Sequence, residues 1–395
     1  MASRYLPGVK GGGPVRSLLN ICERLQDDGY HFMVVTRDRD LGDSAPYGQC
    51  EPGRWHTIGG FPVWYLSKPY WSPRQLRRVV LESKPDLLYF QSFLDPELTI
   101  APLVMRRMGI IPKRIPLLLA PRGEFSPGAL SLKAGKKRLF IRAARIAGLY
   151  SEVMWHATGE DEEQLIRTWW GDNAEIAIAE NLPALAIPDD HEERLSKRSG
   201  TLRAIFLSRI CRKKNLRGAL EVLNGVKAEV HFDIYGPLED AKYWRECETI
   251  IDGLPKNIHA RYAGVVAPES VHRTLTQYEL LLLPTLGENF GHVIVEALVA
   301  GCPVVLSDQT PWRNLQSKRV GFELPLDRPD RFVETVEQFA AMNEQEFRPW
   351  ARSARDLGMR CLQNPDSVRA TRAMLDRAMN QRWHPREKAA IDTTV

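Results

Sequence analysis

Short apolar runs alternate with segments of helical period along most of the chain. The clearest helix lies at 15–27, where Val15, Leu18, Leu19, Cys22 and Leu25 repeat along one helix face and Asp28-Gly29 stops it. Strands are predicted at 30–36, 61–67, 86–91, 115–121, 152–158 and 175–181. A second series begins near 203, with strands at 203–209, 228–235, 258–263, 280–284, 303–307 and 321–324. Between the two series, 183–200 is polar, proline-containing and aperiodic, which reads as a linker. The pattern predicts an α/β chain with two Rossmann-like, doubly wound parallel-sheet domains, at 1–182 and 201–365, facing a cleft. Sheets of this kind bind ligands beyond the carboxyl ends of their strands. A last helical pattern, carried by Val368, Met374, Leu375 and Met379, covers 366–382, and the tail after Trp383 is expected to fray.

Composition narrows the function classes. The 395 residues are 44% apolar and 26% charged, which excludes a disordered chain and suits a folded protein of two or three domains. No uncharged apolar run is long enough for a membrane span, and the first residues lack the apolar centre of a leader peptide, so a cytoplasmic protein is expected. Cys22, Cys50, Cys211, Cys247, Cys302 and Cys361 are widely spaced and form no CxxC, which argues against a zinc site or a disulfide framework. The formal net charge of +5 is mildly basic. It suits an anionic small substrate or a membrane surface better than nucleic acid.

The segment 280–308, LLLLPTLGENFGHVIVEALVAGCPVVLSD, carries most of the chemical information. A strand ends at Pro284, a turn holds Glu288, and Gly291 opens an almost wholly apolar helix that contains Glu296. Helix N-termini attract phosphate through free N–H groups and the helix dipole, so Asn289, Phe290, Gly291 and His292 mark an anion site. A carboxylate in a buried helix needs a partner. Glu296 is either paired with His292 one turn earlier or turned to the cleft to bind hydroxyls. Glu288 and Glu296 lie about 12 Å apart along a helix axis, enough to flank a diphosphate. At the end of the strand 203–209, Arg209 and Lys214 face the cleft as candidates to neutralise that diphosphate, whereas Arg212 and Lys213 read as a solvated basic loop. Gly12 and Gly13, ahead of the first helix, either let the backbone approach a ligand closely or form a flexible loop.

Together these residues show a resemblance. Glu288-Asn-Phe-Gly-His-Val-Ile-Val-Glu296, followed by Ala300-Gly-Cys-Pro-Val-Val305, resembles the E-x7-E signature of the retaining family-four (group 1) glycosyltransferases with the GT-B fold. Ser208-Arg209 with Lys214 is similar to that family's phosphate clamp, Gly12-Gly13 to its glycine loop, and the turns at Gly236 and Val265 to its strand ends near the nucleotide. The resemblance implies hexosyl transfer from a nucleotide-diphosphate sugar without metal or other cofactor. In those terms Arg209, Lys214 and Glu288 are catalytic. Gly12, Gly13, Gly236, Val265, Asn289, Phe290, Gly291, His292 and Glu296 bind the donor, with Glu296 on the ribose. It also implies that the 366–382 helix crosses back to the N-terminal domain. The implied acceptor is a glycan or lipid-linked hydroxyl, in bacterial surface polysaccharide or lipopolysaccharide biosynthesis. A catalytically inactive binding protein, or an epimerase or hydrolase on the same fold, are the alternatives.

The sequence departs from the family pattern in four places. Ser208 and Asn215 stand where the clamp has glycines. Pro121-Arg122-Gly123-Glu124 stands where a histidine is usual, which makes Arg122 and Glu124 the acceptor-side candidates. The first strand is almost missing ahead of the glycine loop, so the start reads as truncated. Asp38-Arg39-Asp40 matches a metal-binding DxD pattern but reads as a polar loop after a strand. The basic stretch 131–145 interleaves Lys133, Lys136, Lys137, Arg138, Arg142 and Arg145 with Leu132, Leu139, Phe140 and Ile141; it is either a solvated helix face or a contact for an anionic membrane.

Overall fold

The structure, a computed structural model, describes residues 1–8, 10–48, 50–67, 71–126, 129–130, 134–185 and 196–380. Most of the 183–200 linker, the tail after 380 and the start of the basic stretch lie outside these residues. The C-terminal domain is a six-stranded, wholly parallel sheet. Its strands are β8 (Thr201–Leu207), β9 (Glu229–Tyr235), β10 (Ile258–Gly264), β11 (Leu280–Leu283), β12 (Val304–Ser307) and β13 (Gly321–Leu324), in spatial order β10-β9-β8-β11-β12-β13. All four leucines of β11 are buried, as a central parallel strand covered on both faces requires. The order reverses between β8 and β11, so the loops after these neighbouring strands emerge side by side.

The helix His292–Val299 follows β11. It is apolar nearly all round because it is packed nearly all round, and the helix Glu344–Gln363 lies directly against it. A Cβ at Gly358 would stand 2.4 Å from the Val299 amide nitrogen, so only glycine allows this approach.

The N-terminal domain is not the single parallel sheet that the pattern predicts. It contains a four-stranded parallel sheet, β4 (Leu88–Phe90), β5 (Leu117–Leu119), β6 (Val153–Ala157) and β7 (Ile176–Ile178). Beside it lies a three-stranded one, in which β3 (Phe61–Leu66) pairs parallel with β1 (Val34–Arg37) and antiparallel with β2 (Trp55–Ile58). The β2–β3 hairpin has a recognisable signal, Gly59-Gly60, with φ of 59° and 84°. Glycine takes two such residues in succession without strain. The two sheets are tied at the chain start. The Met1 amine donates to the Tyr89 carbonyl at 2.6 Å, Gln91 N–H donates to the Met1 carbonyl at 3.0 Å, and Ala2 N–H donates to the Val35 carbonyl at 3.0 Å. Beneath this short splice, a cavity of about 750 Å³ separates β1 from β4. The predicted strand 30–36 is observed as Val34–Arg37.

The helix α1 (Gly13–Leu25) opens at Gly12, which has φ of 64°, and buries Val15, Leu18, Ile21, Cys22 and Leu25. The helix Pro365–Met379 returns to this domain. Met374, Leu375 and Ala378 pack with Ile21, Leu25, Leu118 and Met154, and Tyr30 donates to Asp376 at 2.6 Å. All six cysteines are free thiols. Among the described residues no helix is long and apolar enough to cross a membrane.

Candidate functional site

A cavity of about 280 Å³ opens between the domains, at the carboxyl ends of the C-terminal strands. It is lined by Arg209, Lys214 and Glu288 and by Gly12, Gly13, Gly236, Val265, Asn289, Phe290, Gly291, His292 and Glu296. Residues drawn from five separate stretches of sequence therefore converge on one place.

The loop after β8 supplies the cations. Cys211 precedes a single 3-10 turn, Arg212–Lys214, and Asn215 ends it in the left-handed region at φ 56°. Asparagine tolerates that conformation, and its side chain accepts from Gly218 N–H at 3.2 Å while donating to the Pro284 carbonyl at 2.8 Å. The departure from glycine at 215 thus preserves the turn. At Gly236 no departure is tolerable, because a Cβ there would stand 1.8 Å from the Ser208 carbonyl oxygen.

The loops after β8 and β11 are stitched together. Leu286 N–H donates to the Lys213 carbonyl at 2.8 Å, and Thr285 Oγ1 donates to the same oxygen at 3.1 Å. This brings the Lys214 ammonium into direct contact with the Glu288 carboxylate. Burial alone opposes the charge on Glu288, but Lys214, with help from Lys213, holds its carboxyl below the ordinary range. Glu288 is therefore ionised at neutral pH, and the stability its pairing adds is lost only as pH falls through that lowered value. Lys213 also lines the cavity, and burial lowers its ammonium. The sequence reading placed Lys213 in a solvated loop; alternation within a one-turn helix did not reveal its direction. Arg212 does point away, pairing with Glu246 at 2.6 Å and lying over the Tyr243 ring at 5.2 Å. Arg209 borders the glycine loop and pairs with Glu239 at 2.6 Å.

Glu296 is not satisfied by His292. Its partner is Arg16 of α1, at 3.1 Å across the cleft, and His292 Nε2 meets Ser17 Oγ at 2.8 Å. Burial raises the Glu296 carboxyl, with Arg16 opposing it. Burial, reinforced by Arg16, pushes His292 down to about 3, so its ring is neutral. Arg16 follows the glycine loop directly and lines the cavity. It stands in the GGGPVR run, and only the fold shows that it faces Glu296. Asn289, which lines the cavity, carries a third contact between domains, from Thr158 Oγ1 at 2.9 Å, and its Nδ2 is buried without a hydrogen-bond partner.

The acceptor-side candidates separate. Arg122 lines the cavity and is held by Gln91 at 2.7 Å, by Tyr89 at 3.2 Å and by Asn181. Glu124 turns away and accepts from Ser92 Oγ at 2.8 Å and from the amides of Phe93 and Leu94. Burial raises its carboxyl to about 7 against those bonds. Arg122 and the intervening Gly123 have φ of 53° and 76°, and across this turn the two side chains go to different places. Asp38 and Asp40 are buried and occupied. Asp38 pairs with Arg39 at 2.9 Å, and Asp40 accepts from the amides of Lys10 at 3.0 Å and Leu41 at 2.7 Å. Both DxD carboxylates thus hold hydrogen bonds within and between neighbouring loops.

Two family models match the chain in succession. Residues 12–181 match the glycosyl transferase 4-like domain, and residues 189–355 match the glycosyl transferases group 1. The chain is a group 1 glycosyltransferase. Solved structures share the GT-B architecture over nearly the full length. HepE of Anabaena, in complex with UDP and glucose, superposes with a TM-score of 0.65 at 17% identity, over 95% of this chain and 99% of that one. Sucrose-phosphate synthase of Thermosynechococcus elongatus gives 0.68 at 14%, over 93% of each chain. WaaG, a glycosyltransferase involved in lipopolysaccharide biosynthesis, gives 0.64 at 14%, over 96% of this chain and 100% of that one. No curated protein matches by sequence.

With the family established, the Arg16–Glu296 pair acquires a testable role. Glu296→Ala should raise the donor KM with little change in kcat, since a contact made equally in ground and transition states affects binding alone. Steady-state kinetics with the donor varied checks the split. A fall in kcat with unchanged KM would place Glu296 at the reacting centre.

Proposed function

We propose that this glycosyltransferase moves a hexose, with retention, from a nucleotide-diphosphate sugar to a hydroxyl of a glycan or lipid-linked acceptor, without a metal. The observation that carries the reading is the Lys214–Glu288 pair, with Lys213 and Arg209 beside it, at the N-terminus of the helix His292–Val299. A diphosphate placed there meets the ammonium groups and the free N–H groups of that helix. The bond from the anomeric carbon to the diphosphate oxygen breaks, and the acceptor oxygen bonds to that carbon on the same face. The departing phosphate takes the acceptor proton. The cations stabilise the charge on the leaving group as it develops. Glu288, kept ionised, accepts from the hexose hydroxyls, and Glu296 accepts from the ribose in place of Arg16. HepE with UDP and glucose supports a nucleotide-sugar donor, and WaaG supports a bacterial surface glycan as the product. Thermal shift against a panel of nucleotide sugars, followed by transfer assays with the stabilising donor, tests the reading. Donor binding without transfer or hydrolysis would favour an inactive binding protein.

Cationic side chains in this scheme do the work that a divalent ion does in metal-dependent transferases. Transfer should therefore continue unchanged in excess EDTA. Loss of rate restored by Mn²⁺ would overturn the metal-free scheme.

The helix Ala134–Ile146 gives the acceptor side a possible address. It exposes Lys136, Arg138, Arg142 and Arg145, together with Leu139 at 70% and Ile146 at 89% exposure. On this reading the enzyme works at the inner face of the cytoplasmic membrane. Its sedimentation with liposomes should rise with anionic lipid and fall with salt. Equal sedimentation with neutral and anionic vesicles would remove the electrostatic contact.

A further inference from the structure

Far from the cleft, near the amino ends of β9 and β10, three ligating side chains converge on the exposed face of the sheet. Glu229 and His231 are two residues apart on β9 and so share a face. His231 pairs in register with His259 on the adjacent edge strand, and the two rings stack with centroids 4.9 Å apart and planes 23° from parallel. Glu229 Oε1 lies 3.3 Å from His231 Nε2 and 3.9 Å from His259 Nε2. One ligand atom from each residue falls within 4.8 Å of the others, the one such group among the described residues.

We propose that Glu229, His231 and His259 bind a zinc ion, with water completing its coordination. Tetrahedral zinc with nitrogen and oxygen ligands at about 2.0–2.1 Å separates those ligands by about 3.3 Å. The Glu229–His231 pair already has that spacing. His259 Nε2, now 3.9 Å from the same carboxylate oxygen, has to close by about 0.6 Å to reach it. Two imidazoles and one carboxylate favour zinc over calcium or magnesium, which take oxygen ligands. The three residues stand on paired strands, so binding orders side chains but no backbone. The nearest competing cation in the same register, Arg203, is directed to Glu279 at 2.6 Å.

The site is remote from transfer chemistry. Glu229 begins β9, whereas Gly236, which lines the cleft, follows its other end, about 20 Å away at a strand's rise per residue. A bound ion would clasp the edge strand β10 to β9 and leave the diphosphate clamp untouched.

The test is calorimetry on the full chain, stripped with chelator and titrated with ZnCl₂, with MgCl₂ as control. One zinc per chain is expected, with micromolar affinity and no magnesium uptake. His231→Ala and His259→Ala should each weaken zinc binding at least about tenfold, with Glu229→Gln also weaker, since each removes one of three ligands. Zinc should raise the unfolding midpoint of the wild type but not of the His231→Ala/His259→Ala double variant. Because these side chains are exposed, the double variant should match the wild type in metal-free unfolding midpoint and in transfer rate. Equal zinc affinity in wild type and double variant, or no zinc uptake by the wild type, would overturn the site.

Discussion

Lys214→Ala should lower kcat by roughly 10²–10³, by analogy with the loss of one preorganised donor at a developing oxyanion. The effect has two sources in this cleft. The variant removes the ammonium that meets the departing diphosphate. It also frees Glu288, whose carboxylate now rests against Lys214 with only 15% of its side chain exposed, to repel that same leaving group. Binding of the free nucleoside diphosphate should weaken for the same reasons, which calorimetry measures directly. The fold should survive, because the lost pair lies at the cavity wall and the apolar core of the domain is untouched. Wild-type diphosphate affinity in Lys214→Ala would remove the clamp from this loop.

Glu288→Gln should lower kcat about 100-fold while leaving the affinity for free nucleoside diphosphate equal or tighter. The opposite signs follow from the pairing. Glutamine retains the size of the side chain but accepts less strongly from hexose hydroxyls, and a reacting group displaced by about 1 Å can lose on the order of 100-fold in rate. The diphosphate carries no hexose, so it loses nothing. It gains, because Lys214 and Lys213 no longer share their charge with a carboxylate. Weakened diphosphate binding in this variant would show that Glu288 serves the phosphates and not the sugar.

The parts of the site legible in the sequence are those carried by one continuous stretch. Glu288 through Glu296 form a turn and a helix whose order is local, so strand, turn, helix start and buried carboxylate follow from neighbours in the chain. Contacts between domains were not legible. Nothing in the sequence near Arg16 points to Glu296, and pairing Glu296 with His292 was the only local solution to a buried carboxylate. Glu124 shows a different limit. It lies two residues from Arg122, yet across the left-handed Arg122-Gly123 turn it reaches the 92–94 loop. In the fold, the parallel C-terminal sheet was readable because buried central strands are continuous apolar runs. The antiparallel strand β2 was not, since its residues are only half-buried, although Gly59-Gly60 marked the hairpin. The tie between the two N-terminal sheets runs through backbone bonds of Met1 and Ala2, too short a segment to show any period.

Lys214 and Arg16 reach the cleft already paired with carboxylates, and on the proposed reading this bears on what the cleft rejects. Lys214 faces Glu288 from within one domain, while Arg16 faces Glu296 from across the gap. On that reading a stray phosphate meets Lys214 and Arg16 already engaged by carboxylates, and must compete for them without offering those carboxylates anything in return. A nucleoside monophosphate recompenses Glu296 through its ribose but leaves Glu288 without hydroxyls. On the proposed reading, a ligand with ribose, diphosphate and hexose in one molecule replaces both of these internal partners at once. On that reading, discrimination against simple phosphates begins in the resting state, before any donor arrives.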